Sequence, residues 1–211
     1  MLYSITIAPS QSKDHSDDVA YRYDVTNIPA DRILEVLAQD WMHLVYGKRI
    51  LESASYLRDQ GRPVIALWGE VLLINVRTVL TFGQGFGFED AGHTPELVRS
   101  VARFFRKATP GSGVYLMAGT PTYWRTSDGD ADRDPGFVNV WLEEFDAISP
   151  WTVARYNTEE EADIFADTTI RGDVELVEKR NKLKQGQEGK IDYIPVVHPG
   201  TSVCCSPYSM I

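Results

Sequence analysis

Several features that would assign this chain of 211 residues to a special class are scarce or missing. Only two cysteines occur, Cys204 and Cys205, and as neighbours they indicate neither a disulfide framework nor a zinc site. Lys and Arg number 21 against 30 Asp and Glu, so the net charge of −9 has the wrong sign for binding nucleic-acid phosphates. No apolar run approaches the roughly 18 residues that a membrane span needs. We therefore expect neither a nucleic acid nor a membrane as partner.

Short motifs that carry known chemistry are also missing. No G-x-S-x-G nucleophile turn is present, and the one glycine-rich stretch, GQGFGF at 83–88, does not follow a strand-to-helix turn as a nucleotide-binding loop would. The four histidines are too scattered to suggest a set of metal ligands. The acidic loop Asp128–Asp134 fails the calcium-loop pattern in both registers and is interpreted as a solvated loop ending in a helix cap. We expect no cofactor and no metal.

The first residues, MLYSITIAPSQSKDHSD, lack the positive start and the long apolar stretch of a signal peptide, so the compartment stays open. The overall composition, 43% hydrophobic and 24% charged, is ordinary for a globular protein and excludes disorder or a collagen-like fibre. The length predicts one domain of moderate size.

Five segments have the residue pattern of strands, and helical patterns mostly separate them. The predicted strands are Val19–Thr26, Pro63–Gly69, Val114–Pro121, Ala147–Val153 and Tyr193–Val197. Pro63–Gly69 is a continuous apolar run, which is typical of a parallel strand covered on both faces. Four strand–helix units and a fifth strand indicate an α/β protein with parallel strands. Periodicity alone leaves open whether the sheet is open or closed into a barrel.

The helical segments carry start signals and apolar faces. Thr94 and Thr158 are predicted N-caps, the first followed by Pro95 and the second paired with Glu161 in a capping box. Asp134-Pro135 opens a short helix. The predicted buried faces are Ile33, Leu37, Trp41 and Leu44 in the helix that starts at Asn27; Leu97, Val101 and Phe104 in the next; and Phe137, Trp141 and Phe145 in the short one.

Candidate binding residues lie where the predicted strands end, the edge at which α/β proteins build their sites. They are Trp68, Trp124, Arg125, Trp151 and His198. Aromatic rings beside polar groups suit sugars, whose C–H faces are apolar and whose hydroxyls need fixed partners. The alternative is that these tryptophans only cover the core under long loops.

No catalytic pair of carboxylates can be recognised. Glycoside hydrolysis usually needs two acids that flank the scissile bond. The candidates are Glu70, Glu89, Asp90, Glu143, Glu144 and Asp146. Glu143, Glu144 and Asp146 fall at the end of the unit opposite to the site, and nothing pairs Glu89-Asp90 with a second acid.

Long blocks of the sequence resemble the barrel proteins related to glycoside hydrolase families 71 and 99, which are often labelled xylosidase/arabinosidase. The blocks are QDWMHLV, RILESASYLRDQGRPVIALWG, GFGFEDAGHTPE, YLMAGTPTYWRTSDGDADRDPGF, FDAISPWTVARY and DYIPVVHPG, in the family's order. The resemblance implies a (β/α)8 TIM-type barrel of which about five of eight strands are present, and hydrolysis of O-glycosidic bonds in a glycan. It also implies a sugar-lining rim at the five candidate residues. Such relatives are often extracellular.

The chain departs from the family in three places. Residues 1–18 do not resemble the strands that should open the barrel, and 201–211 match nothing in the family. Within the matching part, 19–200, an apolar insert occupies 70–84, which is either a translated intron or a hairpin covering the rim. The family's catalytic acids lie beyond the fifth strand, so no catalytic residue carries over. The chain has 211 residues, and the shortest complete barrels have about 200. This length favours a truncated barrel.

Three hypotheses follow for the function. The chain is a glycoside hydrolase-like protein that is inactive alone, a non-catalytic carbohydrate-binding protein, or a truncated gene product without a biochemical role. Its expected partner is a glycan, whereas the sugar, the linkage and the oligomeric state stay open.

Overall fold

The computed structural model describes residues 2–5, 21–24, 30–70, 85–89, 91–111, 113–153, 155–184 and 189–196. Most of the unmatched segment 1–18, nearly all of the insert 70–84, and the whole tail 201–211 lie outside these ranges.

The strands form one mixed sheet that curls into half of a barrel. They are β1 (Leu2–Ile5), β2 (Tyr21–Asp24), β3 (Arg58–Asp59), β4 (Arg62–Glu70), β5 (Tyr115–Thr120), β6 (Ala147–Pro150) and β7 (Asp192–Tyr193). Their order is β2-β1-β4-β5-β6-β7, with β3 paired to the start of β4.

Five of these strands run in the same direction. The pairs β4–β5, β5–β6 and β6–β7 are parallel. β1 is antiparallel to both β2 and β4, so β2 shares the direction of β4. The prediction of an α/β protein with parallel strands is confirmed. β1 itself was not predicted, since its four residues form too short a segment for a clear alternating pattern.

The last predicted strand is wrong in its extent. Pairing covers Asp192–Tyr193 rather than starting at Tyr193, although the Ile194 N–H still donates to the Ile148 carbonyl at 2.9 Å. The polar loop that precedes this strand carries no periodic signal that would fix where pairing begins. β6 ends at Pro150, earlier than predicted, as expected for a residue that has no N–H for the ladder.

Helices cover one face of the sheet. They are α1 (Ala30–Met42), α2 (Pro95–Ala108), α3 (Gly136–Glu144), α4 (Glu159–Phe165) and α5 (Arg171–Leu183). A π-helical turn, His43–Gly47, extends α1, and a second one, Ala166–Ile170, joins α4 to α5. A short 3₁₀ turn, Ile50–Glu52, precedes β3.

The caps predicted at Thr94 and Thr158 are confirmed. The Thr94 hydroxyl accepts a hydrogen bond from the Leu97 N–H at 3.2 Å, and Thr158 accepts from Glu161 at the same distance. The Glu161 carboxylate accepts in return from the Asn157 N–H at 2.7 Å, one residue before the cap. These bonds satisfy N–H groups that the first helical turn cannot pair internally.

The cap predicted at the end of the acidic loop is wrong, since α3 begins after Pro135 without a side-chain cap, although Asp134 accepts from the Gly136 N–H at 2.7 Å.

The predicted buried stripe of α2 is wrong in part. Val101 is buried as expected, but Leu97 and Phe104 are only half-buried. The face that meets the core consists of Val98, Val101, Ala102 and Phe105. This face is shifted from the predicted one because α1 packs against α2 from one side. At that contact, the rings of Trp41 and Phe105 meet edge to face, with 5.4 Å between their centroids.

The core lies between the helices and the outward side chains of the central strands. The predicted faces of α1 and α3 are confirmed as buried. In α3, Trp141 stacks on Phe137 at 6.0 Å between ring centroids and lies 5.3 Å from Phe145. These rings pack in the same cluster as Leu116 of β5 and Ile148 of β6. The parallel strands are therefore held in place from the helical side, and their ends can carry a site.

Candidate functional site

The carboxyl ends of β4, β5 and β6 are followed by three loop segments, which we call the rim: 85–94, 121–135 and 151–158, within the described ranges. The first two segments are joined by backbone hydrogen bonds. The Glu89 N–H donates to the Asp130 carbonyl at 3.0 Å, and the Asp132 N–H donates to the Gly87 carbonyl at 2.9 Å. Between them, Phe88 and Ala131 form an antiparallel bridge.

Asp130 joins the second and third rim segments. Its carboxylate accepts hydrogen bonds from the backbone N–H groups of Thr122 and Tyr123, both at 3.1 Å, and forms an ion pair with Arg155. The Arg155 Nε donates to the Thr122 hydroxyl at 2.8 Å, and that hydroxyl donates to the Trp151 carbonyl. The interpretation of this loop as simply solvated is therefore incomplete, because Asp130 organises the rim.

Trp151 and Tyr123 are the half-buried aromatic residues of this network. The Trp151 N–H donates to the Thr120 carbonyl at 2.9 Å, which extends the pairing of β5 and β6 beyond Pro150. Tyr123 has the guanidinium carbon of Arg155 at 5.8 Å from its ring centroid. The Gly129 backbone lies so close that a Cβ there would be 2.3 Å from the Tyr123 ring. The Tyr123 ring is therefore fixed from within the protein.

Trp124 and Arg125 share a single partner, Asp173, in the first turn of α5. The Trp124 indole N–H donates to the Asp173 Oδ2 at 3.0 Å, and the Arg125 Nε donates to Oδ1 at 2.8 Å. The Tyr193 hydroxyl of β7 also donates to Oδ2, at 3.0 Å. Trp124 and Asp173 are each only 1% exposed. Burial raises the pKa of Asp173, although the three hydrogen bonds and the charge of Arg125 oppose that rise.

Asp173 was missed by sequence reasoning because its partners are distant in sequence. Trp124 precedes it by 49 residues, and Tyr193 follows it by 20. One signal was available: Asp173 lies four residues before Val177, so it shares the buried face of an amphipathic helix. A carboxylate on such a face requires buried donors, since a buried charge without partners is very costly.

The five predicted binding residues are only partly brought together. Trp124 and Arg125 meet at Asp173, and Trp151 belongs to the neighbouring Asp130 network. Trp68 lies in β4, where its backbone alone is described. His198 lies outside the described residues. The role of these five in sugar binding stays a prediction.

The candidate acids are engaged by arginines wherever the structure describes their side chains. Glu89 is exposed and pairs with Arg133 at 3.2 Å. At the opposite end of the sheet, Glu143 and Glu144 pair with Arg99, and Asp146 pairs with Arg62 at 2.9 Å. The side chain of Glu70 and the whole of Asp90 lie outside the described part.

The described residues contain neither a cluster of metal ligands nor a membrane-spanning helix. Across the described ranges, no three His, Cys, Asp or Glu side chains are placed to hold a metal ion. None of the described helices is long and apolar enough to cross a membrane.

The chain matches no protein-family model, no curated protein and no solved structure.

Proposed function

We propose that this chain is a glycoside hydrolase-like protein, similar to families 71 and 99, whose rim binds a glycan. In this proposal the curled sheet is part of a (β/α)8 barrel, with β2, β4, β5, β6 and β7 as its parallel strands. The observation that carries the proposal is the Asp130 network, which binds Trp151 and Arg155, at the carboxyl end of β6, to the loop that follows the adjacent parallel strand β5. That edge is where barrel enzymes bind their substrates.

Each rim residue has a role that follows from its contacts. Trp151 supplies a half-buried aromatic surface for the C–H face of a sugar ring. Arg155 presents donors to ring hydroxyls from a position already fixed by Asp130 and Thr122, so little side-chain freedom is lost on binding. Arg125, 27% exposed in its side chain, offers a second set of donors from the loop after β5. Trp124 is buried and supports Arg125 through their shared bond to Asp173.

A non-catalytic carbohydrate-binding role is the second candidate, and a specific observation favours it. Hydrolysis would require two carboxylates on either side of an oxocarbenium-like transition state. Among the described rim residues, Glu89, Asp128 and Asp130 are each paired with an arginine. Each of these carboxylates is already bound to an arginine, so none of them is free to contact a substrate. We therefore expect binding without turnover from these residues.

The test is a binding and turnover assay on the purified 211-residue chain with neutral oligosaccharides from mannan, α-1,3-glucan, xylan and arabinan. Calorimetry measures affinity, and release of reducing ends measures hydrolysis. We expect at least one oligosaccharide to bind, and Trp151→Ala to weaken that binding about tenfold or more, equivalent to about 1.4 kcal/mol. Tyr46→Ala is the matched control, since Tyr46 is 61% exposed, lies just beyond α1 and is remote in sequence from the rim segments.

The outcomes separate the candidates. Binding with release of reducing ends supports a hydrolase and shows that the chain holds its own acid pair. Binding without release supports the carbohydrate-binding role. If no oligosaccharide in the panel binds, or if Tyr46→Ala weakens binding as much as Trp151→Ala, the rim is not the glycan site and the proposal fails.

A further inference from the structure

Asp173 is a buried carboxylate to which the proposed glycan site assigns no direct contact. It belongs to α5, yet its three donors come from two other elements: Trp124 and Arg125 from the loop after β5, and Tyr193 from β7. Three parts of the fold therefore meet at one residue that is 1% exposed. Such an arrangement depends on the charge of the carboxylate, because an ionised carboxylate only accepts hydrogen bonds.

The two oxygens of Asp173 have different partners. Oδ1 accepts from Arg125, whereas Oδ2 accepts from both Trp124 and Tyr193. A proton on Oδ2 can be donated to the Tyr193 oxygen if that hydroxyl rotates, because a hydroxyl both donates and accepts. Arg125 has no such option, since a guanidinium has donors and no acceptor. Protonation therefore removes the counter-charge of Arg125 while leaving a partner for Tyr193.

Of the three donors to Asp173, Arg125 is the one whose side chain can move into solvent. Its side chain is 27% exposed, so water can solvate the guanidinium once the ion pair is lost. The guanidinium lies over the backbone of Gly172, where a Cβ would come within 2.5 Å of its terminal nitrogen. No side chain at position 172 therefore retains it, and Asp173 is its principal anchor.

We propose that Asp173, Trp124, Arg125 and Tyr193 form a proton-controlled latch, in which ionised Asp173 holds Arg125 against α5 and protonated Asp173 releases it to solvent. Trp124 and Tyr193 stay packed on α5 in both states. The titratable groups that face Asp173 in the described chain are Arg125 and Tyr193. Burial and the charge of Asp173 both raise the pKa of Tyr193, so the phenol keeps its proton throughout the acid range. The latch does not depend on whether the rim binds a glycan.

The direction of the pH response follows from burial. The pKa of Asp173 lies above its ordinary value of 3.8, so the folded chain takes up this proton more readily than the unfolded chain does. Lowering the pH from neutral through the folded pKa therefore stabilises the native chain relative to a variant that lacks this group. The latch thus predicts an unusual combination: acid frees Arg125 without a loss of stability from this site.

The experiment follows the Arg125 Nε–H and Trp124 indole N–H signals by ¹H–¹⁵N NMR of the full chain between pH 8 and pH 4. We expect both signals to shift with a common midpoint above 3.8, and the Arg125 Nε–H to exchange faster with water below that midpoint. Asp173→Asn should abolish the transition. Tyr193→Phe removes a donor that favours the carboxylate, so it should raise the midpoint.

Asp167→Asn is the matched control, since Asp167 is an exposed acid that pairs with Arg171 on the same helical segment. It should leave the midpoint unchanged. The latch is refuted if the two signals stay constant down to pH 4, or if they titrate identically in Asp173→Asn. Should Asp173→Asn fail to fold, the Tyr193→Phe variant decides: a midpoint that is unmoved or lowered also refutes the latch.

Discussion

Gly87 combines a left-handed backbone, with a φ of +73°, and a close approach to the aromatic rings of α3. A Cβ at this position would lie 2.8 Å from Trp141 and 3.1 Å from Phe137. The same residue accepts the Asp132 N–H through its carbonyl, so it ties two rim segments together. A single residue without a side chain thus lets the rim lie directly on the core.

Gly87→Ala is expected to destabilise the chain by about 2–5 kcal/mol, the sum of left-handed strain and overpacking against Trp141. Gly92→Ala is the control, because Gly92 has a φ of +67° but open space around its missing Cβ. It should cost only the strain, about 1–2 kcal/mol. Urea unfolding followed by circular dichroism measures both, and equal losses would show that the ring contact does not matter.

At the scale of elements, the loop after β5 is ordered by carboxylates that differ greatly in exposure. Asp130 has a side chain 16% exposed and holds Thr122, Tyr123 and Arg155. Asp128, two residues earlier, is 78% exposed and pairs with Arg133. Asp130 is therefore the acid of this run that connects the loop to the end of the neighbouring strand, whereas Asp128 and Asp134 are exposed.

Asp130→Ala is expected to destabilise the chain by about 2–3 kcal/mol, since two backbone N–H groups and a guanidinium lose their acceptor. Asp128→Ala should be nearly neutral for stability, as is usual for an exposed ion pair. Thermal and urea unfolding of both variants test this difference. Similar effects of the two substitutions would contradict the role assigned to Asp130.

Across the whole molecule, the amino end of the sheet is held by Asp146, which lies just before β6. Its carboxylate accepts from the Leu116 N–H of β5 at 2.9 Å, from Arg62 of β4 at 2.9 Å and from Arg106 of α2 at 3.0 Å. Its backbone carbonyl accepts from the Asp192 N–H of β7 at 2.8 Å. Four elements thus converge on one residue at the end opposite to the rim, which suits a structural role.

Asp146→Ala should cost about 2–3 kcal/mol, because a buried N–H and two guanidinium groups lose a shared acceptor. That is a large part of the 5–15 kcal/mol typical of a domain, so the variant should unfold at clearly lower urea concentration. Asp163→Ala, an exposed position on α4, serves as the comparison and should be nearly neutral. A neutral Asp146→Ala would show that the sheet does not depend on this contact.

Local signals in the sequence were enough to predict much of the fold. The caps at Thr94 and Thr158 and the buried face of α1 depend on residues within one or two helical turns, and all were predicted correctly. The face of α2 was only partly predicted, because its rotation is set by contact with Trp41 rather than by α2 itself. The candidate site was predicted less well, since Trp124 and Arg125 are near neighbours in sequence but Asp173, which binds both, is not.

The sequence by itself determined the α/β class, the direction of the main strands and the positions of the aromatic residues near their ends. Those features follow from short-range patterns of apolar residues and caps, which act within a single element. The tertiary structure alone decided that β1 lies antiparallel between β2 and β4, that Asp130 organises the rim, and that Asp173 joins α5 to β7 and to Trp124. Each of these depends on which distant groups become neighbours, because a buried carboxylate is stable only where several donors converge on it.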